Sequence, residues 1–391
     1  MSFRERIRTE LAARRDAALL RKPQTIVGQD GVNLILNGGQ RVTGFASNDY
    51  LGLAGHADIA TAFKRGIDTW GSGSGAAHLV SGHSAAHQAL EEELADFVGR
   101  ERALLFSTGY MANLGTIAAL VGRGDRLFQD RLNHASLLDA GLLSGARHQR
   151  YRHADSADLE RRLETDTDGE TLIASDGVFS MDGDIAPLPA LAKAAQTHNA
   201  WLMVDDAHGI GVLGPHGRGS CAECGLESDD APVLMATLGK AFGTAGAFVA
   251  GRAELIDYLI QRARPYIYTT ALPAALAEAT RASLRLLRDD AHRQRLHANI
   301  ARFRTACEQT LPAGMLMNSP TAIQPLLIGD NARALALSTR LLAGGFLITA
   351  IRPPTVPEGT ARLRITLSAA HQSAQIDALM DALQNALKGK R

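Results

Sequence analysis

Apolar residues fall along this chain in two patterns. Five short runs, ALLFS (103–107), TLIAS (171–175), WLMVD (201–205), VLMAT (233–237) and GAFVAG (246–251), carry no polar alternation. Such runs predict strands covered on both faces. Between them, apolar positions recur at helical spacing. SAAHQALEEELADFV (84–98) puts Leu90, Leu94 and Phe97 on one face behind Ser84 as N-cap, and LPALAKAAQTHN (188–199) is amphipathic. A further helix is expected from about Tyr110, and residues 3–20 read as an exposed, charged helix. Buried strands separated by helices predict an α/β domain with a mostly parallel sheet.

From about 276 the pattern changes. Arg-rich helices are followed by AIQPLLIG, a helix over 332–343, GFLITAI, RLRITLS and a terminal helix, the pattern of a smaller α+β domain. The reading gives an N-terminal helix and arm (1–50), a large domain (51–275) and a C-terminal domain (276–391). The irregular stretch IRPPTVPEGTA (351–361) is closely flanked by apolar strands, so it is expected to be an ordered active-site loop.

Composition narrows the function classes. The chain has 391 residues, 46% hydrophobic and 21% charged, as expected of a globular protein. Its 41 basic and 41 acidic residues balance, so no global field favours nucleic acid or an anionic membrane. The N-terminus lacks the apolar core of a signal peptide. Residues 103–122 carry no charge, but their hydroxyl, amide and glycine positions predict a strand, a turn and a helix rather than a membrane span. Three cysteines without a secretory signal suggest reduced thiols and a cytoplasmic location.

Three motif matches fail on context. Cys221 and Cys224 form a C-x-x-C with no second pair to complete a zinc site. His83, His87 and Glu91 are spaced for one helix face but lack His-Glu-x-x-His order, so a capped helix is expected and no metal. GSGSGA (71–76) matches G-x-G-x-x-A, yet a helical segment precedes it and no βαβ unit follows.

Open α/β sheets bind ligands beyond the carboxyl ends of their strands. Asp205 and Asp206 end one run, with His208 two residues on. Lys240 follows VLMAT, Ser107, Gly109 and Tyr110 follow ALLF, and Ser175, Asp176 and Ser180 follow TLIA. Lys240 is conspicuous, because the chain has six lysines against 35 arginines and this one is expected to be buried. A buried lysine can lose its proton and form a Schiff base, whereas arginine stays charged. An acid at a strand end, a helix start suited to phosphate and a lysine together suit pyridoxal phosphate.

VDDAHGIGVLGPHGRG, ATLGKAFG, SDGVFSMDGDIAPL, RLNHASLLDA, SNDYLGL and RPPTVPEGTARLRITLSAAH together resemble the α-oxoamine synthases. These are pyridoxal phosphate enzymes of the aspartate-aminotransferase-like fold (fold type I), and the similarity runs from Arg21 into the C-terminal domain. The AIRPPTVP loop and LRITLSAAH tail favour the member of biotin biosynthesis that condenses L-alanine with a pimeloyl thioester. The acyl carrier would be CoA or acyl carrier protein. The alternative is a member acting on glycine or serine, such as glycine C-acetyltransferase. A non-catalytic regulator would need a DNA-binding module for which the chain has no spare length.

The resemblance implies a role for each site residue. Lys240 would bond the cofactor aldehyde and move the proton at the substrate α-carbon, and Asp205 would pair with the ring nitrogen. His134 would stack on the ring, and His208 and Ser180 would contact its hydroxyl side. Gly109, Tyr110 and Thr237 would serve the phosphate, with Thr270 reaching the site of the neighbouring subunit in a homodimer. Arg364 would clamp the amino-acid carboxylate, while Arg21, Asn48, His134 and Thr355 would bind substrate. The family usually has Glu where this chain has Asp176, and His78 and His83 also depart from its pattern.

Overall fold

A seven-stranded sheet organises one of two compact units in the computed structural model, which describes residues 1–165 and 169–388. The last three positions of the predicted 276–391 domain lie outside the described residues. This unit comprises Leu53–Ser180 and Ile185–Arg293. Its strands run in the order Arg102–Phe106, Ala247–Gly251, Val233–Thr237, Trp201–Asp205, Thr171–Asp176, Arg126–Asp130, Arg147–Tyr151. Ala247–Gly251 is antiparallel to both neighbours, and the other pairs are parallel. All five predicted strands are present and buried along most of their length.

Two strands of this sheet were not predicted. In Arg126–Asp130 every residue is buried, yet the sequence RLFQD looks half polar. Most of its polar groups are bonded internally, although the Gln129 Oε1 is buried without a partner. Gln129 Nε2 donates to the Leu137 carbonyl at 2.8 Å, and Asp130 accepts from the Leu132 and Ala154 N–H groups at 2.8 and 2.7 Å. Arg147–Tyr151 is the polar edge strand, and edges tolerate charge.

The helices form where the spacing predicts. Ala85–Val98 starts at Ser84 and ends on Gly99 in the left-handed region. The helix Gly109–Leu120 starts from Thr108, whose Oγ1 accepts from the Met111 N–H at 3.2 Å. Leu104, Phe106, Ile117, Leu137, Met203 and Val249 belong to one buried cluster that joins this helix to the sheet. Each such fully buried side chain contributes about 1.5–3 kcal/mol.

The second unit comprises Met1–Gly52, Met181–Asp184 and the chain from Gln294 onward. It holds a three-stranded antiparallel sheet with Ala361–Thr366 at its centre, between Ile323–Gly329 and Thr349–Ile351. A four-stranded sheet pairs Ile26–Asp30, Asn33–Leu36, Arg41–Gly44 and Phe346–Leu347. The run GFLITAI thus supplies short strands to two different sheets. Phe3–Asp16 is a helix with no buried residue, closed by a Ser2–Glu5 capping box.

Candidate active site

In the first unit, the chemistry gathers where strands end. Trp201–Asp205 delivers Asp205, which is 3% exposed. Its carboxylate accepts from Asn113 Nδ2 at 2.7 Å and from the Ala207 N–H at 3.0 Å. Thr171–Asp176 lies alongside in parallel register and sets Asp176 opposite Asp205. Asp176 accepts the His134 backbone N–H at 2.7 Å, while its own N–H is held by Asn133 Oδ1 at 3.0 Å. Burial, followed by the negative charge of Asp205, holds the Asp176 pKa well above the usual carboxylate range.

Lys240 sits just past Val233–Thr237, its Nζ 2.8 Å from His208 Nε2. Lys240 is half-buried, where the sequence reading expected full burial. Its backbone lies in a tight turn closed by the Gly243 N–H donating to the Lys240 carbonyl at 2.9 Å. Only glycine fits at 243, where φ is 65° and a Cβ would fall 2.5 Å from the Ala54 nitrogen. Asp206, fully buried beside Asp205, accepts the Ser220 N–H at 2.9 Å, and burial pushes its pKa up to about 7.

The remaining predicted groups of this unit are placed as follows. His134 caps the helix Ala135–Ser144, and its Nδ1 lies 2.7 Å from Ser136 Oγ. Tyr110 is exposed. Its ring meets that of His134 edge-on at 6.4 Å, and its hydroxyl donates to Asp139, which raises its pKa. Gly109 and Tyr110 open their helix, where N–H groups have no intrahelical acceptor. The Thr237 hydroxyl donates to the Gly246 carbonyl at 3.0 Å. Ser180 lies in the turn beyond Thr171–Asp176. Thr270 is exposed, and its carbonyl accepts from Ser107 Oγ at 3.2 Å.

The second unit carries the other predicted group. Arg364 is 7% exposed and donates to Asn48 Oδ1 and Thr366 Oγ1, both at 3.1 Å. Arg21 donates to Thr355 Oγ1 at 3.1 Å. Arg352, which the sequence reading did not single out, donates to the Ala18 carbonyl. Its Nε is buried without a partner, and burial together with the charge of Arg21 lowers its pKa. Among the described residues neither Arg21 nor Arg352 is paired with an acid.

The helix start, buried carboxylate, amine and imidazoles of the first unit match the groups needed by a flat cationic heterocycle that bears an aldehyde and a phosphate. The sequence profile of aminotransferase class I and II matches residues 40–383. The 8-amino-7-oxononanoate synthase of Methylococcus capsulatus is 63% identical over 355 residues, 90% of this chain and 91% of the relative. That of Thioalkalivibrio sulfidiphilus is 57% identical over 385 residues, 98% and 97% of the two chains. The chain belongs to the α-oxoamine synthases of the class I and II aminotransferase family. Among solved structures, serine palmitoyltransferase of S. paucimobilis with a bound PLP–myriocin aldimine is 30% identical. The match covers 99% of this chain and 98% of that one, with a TM-score of 0.92. An 8-amino-7-oxononanoate synthase from Francisella tularensis is 32% identical over 89% and 98% of the two chains, with a TM-score of 0.77.

This α-oxoamine synthase therefore has the fold type I architecture that its motifs implied. Motif reading missed Asn113, Ser136 and Arg352. One signal was available for Asn113, a lone amide in the charge-free run 103–122. The His83–Glu91 stretch is a helix start. His87 Nδ1 accepts the Ser84 N–H at 3.0 Å, and its Nε2 lies 2.7 Å from the Leu272 carbonyl. Among the described residues no cluster of His, Cys, Asp or Glu is arranged to hold a metal ion, and no helix is long and apolar enough to cross a membrane.

Proposed function

We propose that this chain is a pyridoxal phosphate-dependent C-acyltransferase that condenses L-alanine with a pimeloyl thioester. The products are 8-amino-7-oxononanoate, carbon dioxide and the free thiol, and the step belongs to biotin biosynthesis. The observation that carries the reading is the Lys240 amine 2.8 Å from His208 on the rim that also holds Asp205, in a chain 63% identical to a synthase of that name.

The cofactor, when bound, supplies an electron sink for the carbanion at the amino-acid α-carbon. The protein supplies the rest. Lys240 would hold the cofactor through its aldehyde, and its amine would move a proton at the substrate α-carbon. Asp205 sets a negative charge at the ring nitrogen, and its 3% exposure keeps that charge unscreened. His134 would stand against the ring, and His208 and Ser180 would serve its hydroxyl. The N–H groups at Gly109 and Tyr110, with the Thr237 hydroxyl, receive the phosphate. Thr270 serves the phosphate of the neighbouring subunit in a homodimer. Arg364, steadied by Asn48 and Thr366, reads the amino-acid carboxylate with two parallel donors. Arg21, Arg352 and Thr355 offer a hydroxyl and two guanidiniums with no acid partner among the described residues, which suits an anionic acyl substrate. The enzyme works in the cytoplasm.

The test is a matrix of L-alanine, glycine and L-serine against pimeloyl-CoA, pimeloyl carrier protein and short acyl-CoA donors. The expected result is condensation with L-alanine and a pimeloyl donor, together with a visible imine absorption that Lys240→Ala abolishes. Turnover with glycine alone, or activity retained by Lys240→Ala, would refute the proposal. Arg21→Ala should raise KM for the pimeloyl donor roughly tenfold or more, as expected for one lost charge-assisted contact.

A further inference from the structure

Asn113 lies in the middle of Gly109–Leu120 and is fully buried. Its Nδ2 is 2.7 Å from Asp205 Oδ2 and 2.8 Å from Ser136 Oγ. Its Oδ1 is buried with no hydrogen-bond partner. An unsatisfied buried acceptor is costly, so this amide is not explained by filling space. The residue is therefore to be explained by what its nitrogen does.

The direction of each bond follows from the atoms. A carboxylate only accepts, so the amide must present nitrogen, not oxygen, to Asp205. That nitrogen has two hydrogens and no acceptor capacity, and its second hydrogen goes to Ser136 Oγ. The serine hydroxyl, 2.7 Å from His134 Nδ1, is then free to give its own hydrogen to that atom. The Ser136 backbone N–H also donates to that atom at 3.3 Å. An Nδ1 that receives donors carries no proton, so the imidazole proton sits on Nε2.

We propose that Asn113 is a positioning residue that fixes two groups of the site through one amide. It orients the Asp205 carboxylate, and through Ser136 it locks His134 in the neutral Nε2–H form. His134 then presents a hydrogen-bond donor to an acceptor oxygen of the substrate, a carboxylate or a thioester carbonyl, without first having to shift a proton. The inference rests on the assignment of Asp205 and His134 to the cofactor site.

Neutron diffraction from deuterium-exchanged holoenzyme crystals reads the proton positions directly. The expected result is deuterium on His134 Nε2 and none on Nδ1; deuterium on Nδ1 in the wild type overturns the proposal. Two variants separate positioning from folding. Asn113→Leu removes the amide at similar volume and should leave the chain folded while weakening cofactor binding about tenfold, the scale of one lost hydrogen bond to a charged group. Ser136→Ala interrupts only the branch to His134. It should keep cofactor affinity within about twofold and lower kcat more than it raises KM for L-alanine. Unchanged cofactor affinity in Asn113→Leu, or unchanged kinetics in Ser136→Ala, also overturns it. A wild type without imine absorption would instead contradict the cofactor assignment itself.

Discussion

Asp206 should make the stability of the holoenzyme fall with rising pH, and Asp206→Asn should remove that fall. The carboxyl is fully buried. Burial lifts its pKa from an ordinary 3.8 to about 7, with the Ser220 hydroxyl and N–H pulling it partway back. The folded chain therefore holds this proton more tightly than the unfolded chain. The resulting stability is complete below 3.8 and is lost as pH rises through about 7. At 1.36 kcal/mol per unit, the whole loss is about 4 kcal/mol, of which about 2 kcal/mol falls between pH 5.5 and 8.5. Asparagine cannot ionise, and it keeps an acceptor for the Ser220 N–H. Thermal unfolding of both proteins at the two pH values should thus show Asp206→Asn gaining roughly 2–4 °C relative to the wild type on going to pH 8.5. A Tm difference that is constant across pH would mean that Asp206 does not retain its proton in the fold.

Three other outcomes are expected. Gly66→Ala should destabilise by about 1–3 kcal/mol in urea unfolding despite the better helix former, because its Cβ would fall 2.7 Å from Ala275 Cα where the Ala57–Trp70 and Ala274–Leu287 helices meet. His78 is pushed down to about 3, first by burial and then by the charges of His87 and His83, so it folds neutral. Its contribution holds above 6.5 and is lost as pH falls toward 3, so between pH 7.5 and 4.5 His78→Gln should gain about 2–3 kcal/mol relative to the wild type in denaturant titrations. Arg364→Lys keeps the charge but loses the paired donors to Asn48 and Thr366, so steady-state assays should show KM for L-alanine up about tenfold with kcat changed much less.

Legibility in the sequence followed the kind of force at work. Strands such as WLMVD and VLMAT announce themselves because desolvation on both faces admits only apolar residues. RLFQD is buried just as deeply but hides the fact, since hydrogen bonds to Leu137, Leu132 and Ala154 make its polar residues admissible, and those partners become neighbours only after folding. The same division holds at the site. Lys240 and Asp205 were visible because each follows an apolar run at a strand end. Asn113 and Ser136 were not, because their work consists of bonds to side chains 92 and 23 positions away. The pairing of Arg21 with Arg352 was equally hidden, since it depends on a loop returning to the N-terminal arm.

The reversed strand Ala247–Gly251 has a mechanical consequence. Because it runs back directly from Val233–Thr237, Lys240 stands at the tip of a hairpin whose two arms are both interior strands. The tip is stitched by the Leu238 N–H to the Gly246 carbonyl at 2.9 Å and by the Thr244 N–H to the Leu238 carbonyl at 3.0 Å. A lysine borne on a long crossover could travel with its loop, but this one cannot. The reach of its amine is confined to the rotation of its own methylene chain. A residue inserted anywhere between 238 and 246 would alter the length of that lever arm rather than merely loosen a turn.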